Sequence, residues 1–343
     1  MAKAAPKTKP VRVALLGAET LLGREVQEVL EARASKVVIT TYASTGEGNF
    51  SEHEGEAVYL EPLTPKAAGA DQALVIAGAR EGATKAYEIA KAGGGQPLII
   101  DCVGHLEHEP EARIAAPLVN DADSQASWLL VVAHPASSAL ALVLTSLARR
   151  AGIRQAVANI FEPASERGKR GVAELHQQTT SLLNFKTLEK DVFDAQLSFN
   201  LLSQYGGEAP GKLSTVEERI ERHLATLLEQ QVQDGVVPMP SLRLIQAPVF
   251  HGYSISLWVE FEGQLDAGEI GEALASAHID VRGQHDEVPS NVGVASQSGL
   301  IAGDIRADRN NARAAWIWIV GDNLRLTADA AADLVNGIKV APE

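Results

Sequence analysis

Residues 131–144, VVAHPASSALALVL, end an apolar run in a proline turn and open an apolar helix. In α/β enzymes a strand-to-helix turn of this kind lifts a nucleophile above the sheet. This one offers His134, Ala136, Ser137 and Ser138. A serine attacks only when a positioned base takes its proton, and His134 and His251 are the candidate bases. Cys102, the single cysteine, follows the apolar run LIID. It is a second candidate nucleophile if its thiolate is favoured, and otherwise a small residue that packs well near a sheet. One cysteine rules out an intrachain disulfide and a cysteine-based zinc cluster. The stretch HLEHE at 105–109 gathers histidines and glutamates, but no H-E-x-x-H spacing occurs. A solvent loop is expected there, and no metal.

A different chemistry is suggested near the start of the chain. VRVALLGAETLLGREVQEVLEAR begins with an apolar run, Val11–Leu16, bounded by Gly17. The period then changes, and Leu22, Val26, Val29 and Leu30 fall on one helical face. Strand, glycine turn and helix in that order begin a βαβ unit, whose helix start points backbone N–H groups at an anion. Gly17 and Gly23 stand six apart. Thr20 lies between them, where a dinucleotide loop usually has a third glycine that lets the backbone approach the pyrophosphate. Thr20 is also suited to cap the helix. The end of the second strand, TTYASTGEG, has no Arg or Lys for a 2′-phosphate and no acid at its tip for a ribose diol; Glu47 lies further along. Arg80, at a strand end, is placed for a pyrophosphate or carboxylate, or is a solvated surface residue.

These residues need a scaffold. KVVITTYAS, QALVIAGA, PLIIDCVG and WLLVVAH are short apolar runs of the kind buried in parallel sheets, and EGATKAYEIAKAGG between two of them is a helix ending in glycines. Strands alternating with helices give an α/β, doubly wound parallel sheet. After residue 150 the pattern changes to α+β. QAVANIF and HGYSISLWVEFEG alternate like antiparallel strands, and helices lie between them. AARAAWIWIVGDN sets Trp316 and Trp318 on one face and Ile317 and Ile319 on the other, so the strand is expected to be covered on both sides.

The chain has 343 residues, 45% hydrophobic and 22% charged, enough for two domains with separate cores. A net charge of −14 repels phosphate backbones and argues against nucleic acid as a partner. No apolar run is long and uninterrupted enough for a membrane span. MAKAAPKTKP is basic without a following apolar h-region, so residues 1–10 are expected to be a disordered tail and the cytoplasm the compartment.

The order of segments resembles the aspartate-semialdehyde dehydrogenase family from about residue 11 to residue 338. GAETLLG stands where that family has its nucleotide loop. EPASERGKRGVAELHQQT looks like the segment after its catalytic turn, and FNLLSQYGG is similar to its central F-N-x-x-P-Q stretch. APVFHGYSISLWVEFE resembles its P-V-x-x-x-H-S strand, and the run from GDIRADRNN to TADAAADL is close to its C-terminal run. The resemblance implies a Rossmann-type NAD(P)-binding domain over 11–134, completed by a C-terminal helix at 322–340. It also implies an α+β dimerisation and substrate domain over 135–321. NAD(P) would rest on Gly17, Glu19, Thr20, Leu21, Leu22, Gly23, Ser44, Gly78, Arg80 and Asn323. Such enzymes interconvert an acyl phosphate and a semialdehyde through a cysteine thiolate, a histidine base and arginines that hold substrate anions.

This sequence departs from that pattern at each reacting position. By the proline, the cysteine falls on Ala136 or Ser137. The histidine falls on Tyr253, the arginine before it on Gln246, and the glutamine after the catalytic turn on Glu162. The phosphate-binding loop is CVGHLEH, with no arginine, and the 2′-phosphate arginine falls on Ala43. The expectation is a degenerate, Usg-type paralogue lacking the catalytic Cys and His. It would be a homodimer, with a tetramer as the alternative, serving as scaffold or regulator for an unidentified protein or small-molecule partner. NAD(P) binding should be weak. The alternative is a repurposed NAD(P)-dependent oxidoreductase, or a hydrolase-like enzyme, that uses Cys102 or uses Ser137 with His134 or His251.

Overall fold

The computed structural model describes residues 10–33, 37–45, 47–53, 55–68, 71–120, 127–231 and 237–338; the expected tail lies outside these residues except for Pro10. The chain divides into two compact units. The first runs to Ala133 and resumes at Thr327; the second is His134–Leu326.

In the first unit the elements are β1 (Val11–Leu16), α1 (Leu21–Arg33), β2 (Val37–Tyr42), β3 (Asn49–His53), β4 (Glu56–Leu60), α2 (Pro65–Ala68), β5 (Ala73–Ile76), α3 (Arg80–Ala92), β6 (Leu98–Asp101), β7 (Ala112–Ala115) and β8 (Leu129–Val132). Six strands form one sheet in the order β2-β1-β5-β6-β8-β7, and every pair is parallel. Apolar side chains leave both faces of the central strands. Val13 and Leu15 join Val26, Val29 and Leu30 of α1 and Ala328, Ala331 and Val335 of the C-terminal helix. Ala14 and Leu16 join Ala83, Ala86 and Ala90 of α3 on the other side. Burial on both faces is why these strands read as unbroken apolar runs. The β3–β4 hairpin was not anticipated from the sequence. The hydroxyl of Ser51 holds it to the carbonyl of Ala18 at 2.9 Å, and Leu60 enters the core.

The second unit contains α4 (Pro135–Arg150), β9 (Ile153–Glu162), a 3-10 turn at Ala164–Arg167, α5 (Gly168–Leu183), α6 (Leu213–Glu229), β10 (Ser241–Gln246), β11 (Tyr253–Phe261), α7 (Ala267–Leu274), β12 (Ile279–Val281), β13 (Leu300–Ala307) and β14 (Ala314–Gly321). The final helix, α8 (Asn323–Asn336), begins here and passes into the first unit at Thr327. The sheet order is β10-β9-β11-β14-β13-β12. The central pairs are antiparallel, while β10 runs parallel to β9 and β12 parallel to β13. On the inner face Ala156, Ala158, Ile160, Ile255, Leu257, Val259, Ile317 and Ile319 are buried, and α4 packs against α6, α7 and β9. The outer face corrects one expectation. Strand β14 is not covered on both sides within the chain: Trp316 is 38% exposed, and Val157, Trp258 and Trp316 form a row across three strands.

Candidate functional site

The proline turn is built as the sequence suggests. Pro135 opens α4, and His134 caps it by accepting the N–H of Ala136 at Nδ1, 3.3 Å away. The backbone N–H of His134 is given to Nδ1 of His223 on α6 at 2.9 Å. Burial, then the charges of His223, Arg219 and Arg167, hold the His134 ring well below its ordinary pKa, so it is neutral. Since Nδ1 accepts a hydrogen bond, the one ring proton of the neutral form is on Nε2. That proton faces the hydroxyl of Tyr253 at 3.4 Å and Glu166 Oε2 at 3.9 Å. The ring therefore has no lone pair left for a general base.

Ala136 and Ser137 lie in the first turn of α4, and alanine has no nucleophilic side-chain atom. Ser137 is 0% exposed, and its hydroxyl gives its proton to the carbonyl of Ile220 on α6 at 2.9 Å. That proton is therefore withheld from His134 and from His251, the two candidate bases. His251 lies in the turn before β11, where its carbonyl faces Asn291. Cys102, in the first unit, is buried. Burial, then the charge of Asp101, pushes its thiol far above the ordinary cysteine range, so the thiolate is disfavoured.

A polar network fills the end of β9. Glu162 is fully buried, and its Oε1 accepts from Arg167 Nη2 at 2.5 Å and from the Tyr205 hydroxyl at 3.3 Å. Its Oε2 is buried with no hydrogen-bond partner among the described residues. Tyr205 also reaches Gln246 Oε1 at 2.7 Å, and Gln246 Nε2 donates to the Glu162 carbonyl at 2.8 Å. Glu166 Oε1 accepts from Asn323 Nδ2 at 2.8 Å. Burial, then the charge of Glu162, pushes the Glu166 carboxyl up to about 7. Asn323 Oδ1 accepts from Gly252 N at 3.0 Å and from the Ser165 hydroxyl at 3.2 Å, so the protein uses both ends of its amide. Burial, followed by Glu166 and Glu162, holds Tyr253 well above the ordinary phenol pKa. The network pairs and orients charges. Glu166, Arg167 and Tyr205 were not singled out from the sequence. The available signal was SERG, charged residues in a short link between a buried strand and a helix.

The first unit gathers the other candidates. Gly17 has φ +93°, and a Cβ there would stand 2.6 Å from Gly78 Cα. A Cβ on Gly23 would stand 1.9 Å from the Gly17 carbonyl oxygen. Both glycines thus serve the close packing of the loop itself. The Thr20 hydroxyl lies 2.9 Å from the Gly17 carbonyl and 2.8 Å from that of Ala77, and it accepts the N–H of Gly23 at 2.8 Å. Thr20 is therefore the cap of α1. Leu21 and Leu22 open that helix. Ser44 lies just beyond β2 and is bonded to Glu19. Arg80 opens α3, is exposed, and donates to the His105 carbonyl at 3.3 Å. As a cradle for a nucleotide, the loop keeps the glycine turn at the head of α1, but Thr20 uses one of its N–H groups and adds a Cβ. The 105–109 stretch is a turn, and among the described residues no group of three or more His, Cys, Asp or Glu is placed to hold a metal. No described helix is long and apolar enough to cross a membrane.

Comparison with known proteins agrees with this architecture. The chain is 28% identical over 324 residues to a USG-1 protein homolog of Azotobacter vinelandii, covering 92% of this chain and 93% of that one. A probable aspartate-semialdehyde dehydrogenase of Pseudomonas aeruginosa superposes with a TM-score of 0.80 at 27% identity, over 96% of this chain and 98% of that one. An aspartate semialdehyde dehydrogenase of Candida albicans, solved with NADP, shares the fold at 13% identity and a TM-score of 0.67, over 96% and 98%. The family model described as "Semialdehyde dehydrogenase, dimerisation domain" matches residues 144–326. With more than half its length matched and its fold shared throughout, the chain belongs to the semialdehyde dehydrogenase family.

Proposed function

We propose that this protein is a catalytically inactive, homodimeric member of its family with a scaffold or regulatory role in the cytoplasm. The observation that carries this reading is the Ser137 hydroxyl, buried and committed to Ile220 beside a helix-capping His134. Tyr253, Gln246 and Glu162 stand where the family resemblance puts a base, an arginine and a glutamine; here Gln246 donates to the Glu162 carbonyl, Glu162 accepts from Arg167, and Tyr253 faces the ring of His134. The first unit, with boundaries near 11–134 and 322–340, serves as a vestigial NAD(P) domain that binds weakly, because Thr20 crowds the diphosphate's approach. The second, near 135–321, carries the dimer contact on its outer sheet face. The exposed side chains of Val157 and Trp316 favour a covering partner, and the matched family domain is named for dimerisation.

The test is phosphate-dependent reduction of NAD or NADP with aspartate semialdehyde. The expected result is no turnover above a no-protein control. Ala136→Cys or Ser137→Cys alone stays inactive, because the new thiol has no imidazole base and no arginine orients the substrate. Adding Tyr253→His and Gln246→Arg recovers measurable rate, since residues that act as a unit are non-additive. Turnover by the unmodified chain overturns the reading.

A further inference from the structure

The tip of β2 carries no acid in sequence, yet the fold brings one there from another loop. Glu19, in the β1–α1 turn, places Oε1 3.0 Å from the backbone nitrogen of Ser44 and 2.5 Å from its hydroxyl oxygen. Both residues are buried. Ser44 is fixed from its other side, where its carbonyl accepts the N–H of Gly82 at 3.0 Å and a Cβ on Gly82 would come within 2.6 Å of that oxygen. An N–H and an O–H of one residue converging on a single oxygen form an anion-receiving pair. Here the anion is the chain's own carboxylate.

In a doubly wound sheet the tip of the second strand is where the adenosine ribose of a dinucleotide lies. Building on the reading that the first unit retains a weak nucleotide site, we infer that Glu19 sets its specificity. The site accepts a nucleotide with a free 2′-hydroxyl and rejects one with a 2′-phosphate. The two donors of Ser44 that a phosphate would need are already taken. A second anion beside a buried carboxylate is repelled more strongly than in water. Ala43, at the same tip, supplies no compensating cation. A neutral 2′-hydroxyl meets no such repulsion.

The test is calorimetry and thermal melting of the full chain with two ligand pairs: NAD against NADP, and ADP-ribose against 2′-phospho-ADP-ribose. In the unmodified protein the 2′-phosphate weakens binding by at least tenfold in both pairs. In Glu19→Ala and Glu19→Gln that ratio falls to near one or inverts. The glutamine variant keeps the side chain's shape, and ligand-free melts of both variants establish that they are folded. NADP binding as tight as NAD in the unmodified chain overturns the inference, as does a ratio unmoved in both variants. Saturation by none of the four ligands at millimolar concentration overturns it together with the nucleotide-site reading, and leaves the inactive-dimer reading standing.

Discussion

Glu166 is a carboxylic acid placed where ionisation is expensive. Its neighbours are Glu162 at the end of β9, Arg167 in its own turn, Arg219 on α6, His134 capping α4, Tyr253 on β11 and Asn323 on α8. The folded state raises its pKa from an ordinary carboxylate value to about 7. The native state then binds more protons than the unfolded chain between those two values, so stability falls as pH rises through that window. We expect the unmodified protein to lose on the order of 2–3 kcal/mol between about pH 4.5 and pH 8 from this group alone. Glu166→Gln keeps an oxygen for Asn323 and removes the charge, so it should flatten that slope and be the more stable form at pH 8. Urea unfolding across the range measures both proteins, and parallel slopes would rule the assignment out. In sequence, EPASERG resembles a solvated turn. Its hydrogen-bond partner Asn323 lies 157 residues away along the chain, and no local pattern reports a partner at that distance.

The β1–α1 turn shows the same division at the level of an element. Its strand, glycine and helix were legible from the change of period at Gly17, because alternation and helical spacing are local properties. The capping role of Thr20 was legible as well. The arrival of Glu19 at Ser44 was not, because it depends on how the turn meets the end of β2. The β3–β4 hairpin escaped notice for a related reason: its strands are short, charged residues interrupt them, and Phe50 and Tyr59 face outward. Two substitutions separate the turn's components. Gly17→Ala forces a Cβ into backbone atoms of Gly78 at a φ that L residues rarely adopt, and should cost about 3 kcal/mol or more. Thr20→Ala removes only the cap, at about 1 kcal/mol. Denaturant midpoints at constant slope distinguish them, and equal losses would mean that the turn's packing has been misjudged.

At the scale of the whole molecule, the second unit presents an apolar row that the chain itself leaves uncovered. Val157, Trp258 and Trp316 lie in register across β9, β11 and β14. Val157→Asp puts a charge at one end of that row without touching the inner core. It should raise the dimer dissociation constant at least tenfold, seen in sedimentation as a shift from twice 36.4 kDa toward 36.4 kDa. An unchanged assembly would move the interface elsewhere. The same face has an optical consequence. The chain has four tryptophans. Trp128 stacks on Tyr87 in the first unit, with ring centroids 5.6 Å apart. The other three share the second unit's sheet, where the indole N–H groups of Trp258 and Trp316 both bind Asp308 Oδ2, at 2.9 and 3.1 Å. Two of the four tryptophans therefore sit on the surface a second copy would cover, and their ultraviolet emission reports on it. The colour of that emission and its quenching by iodide on dilution become a label-free gauge of subunit association, while Trp128 contributes a steady background.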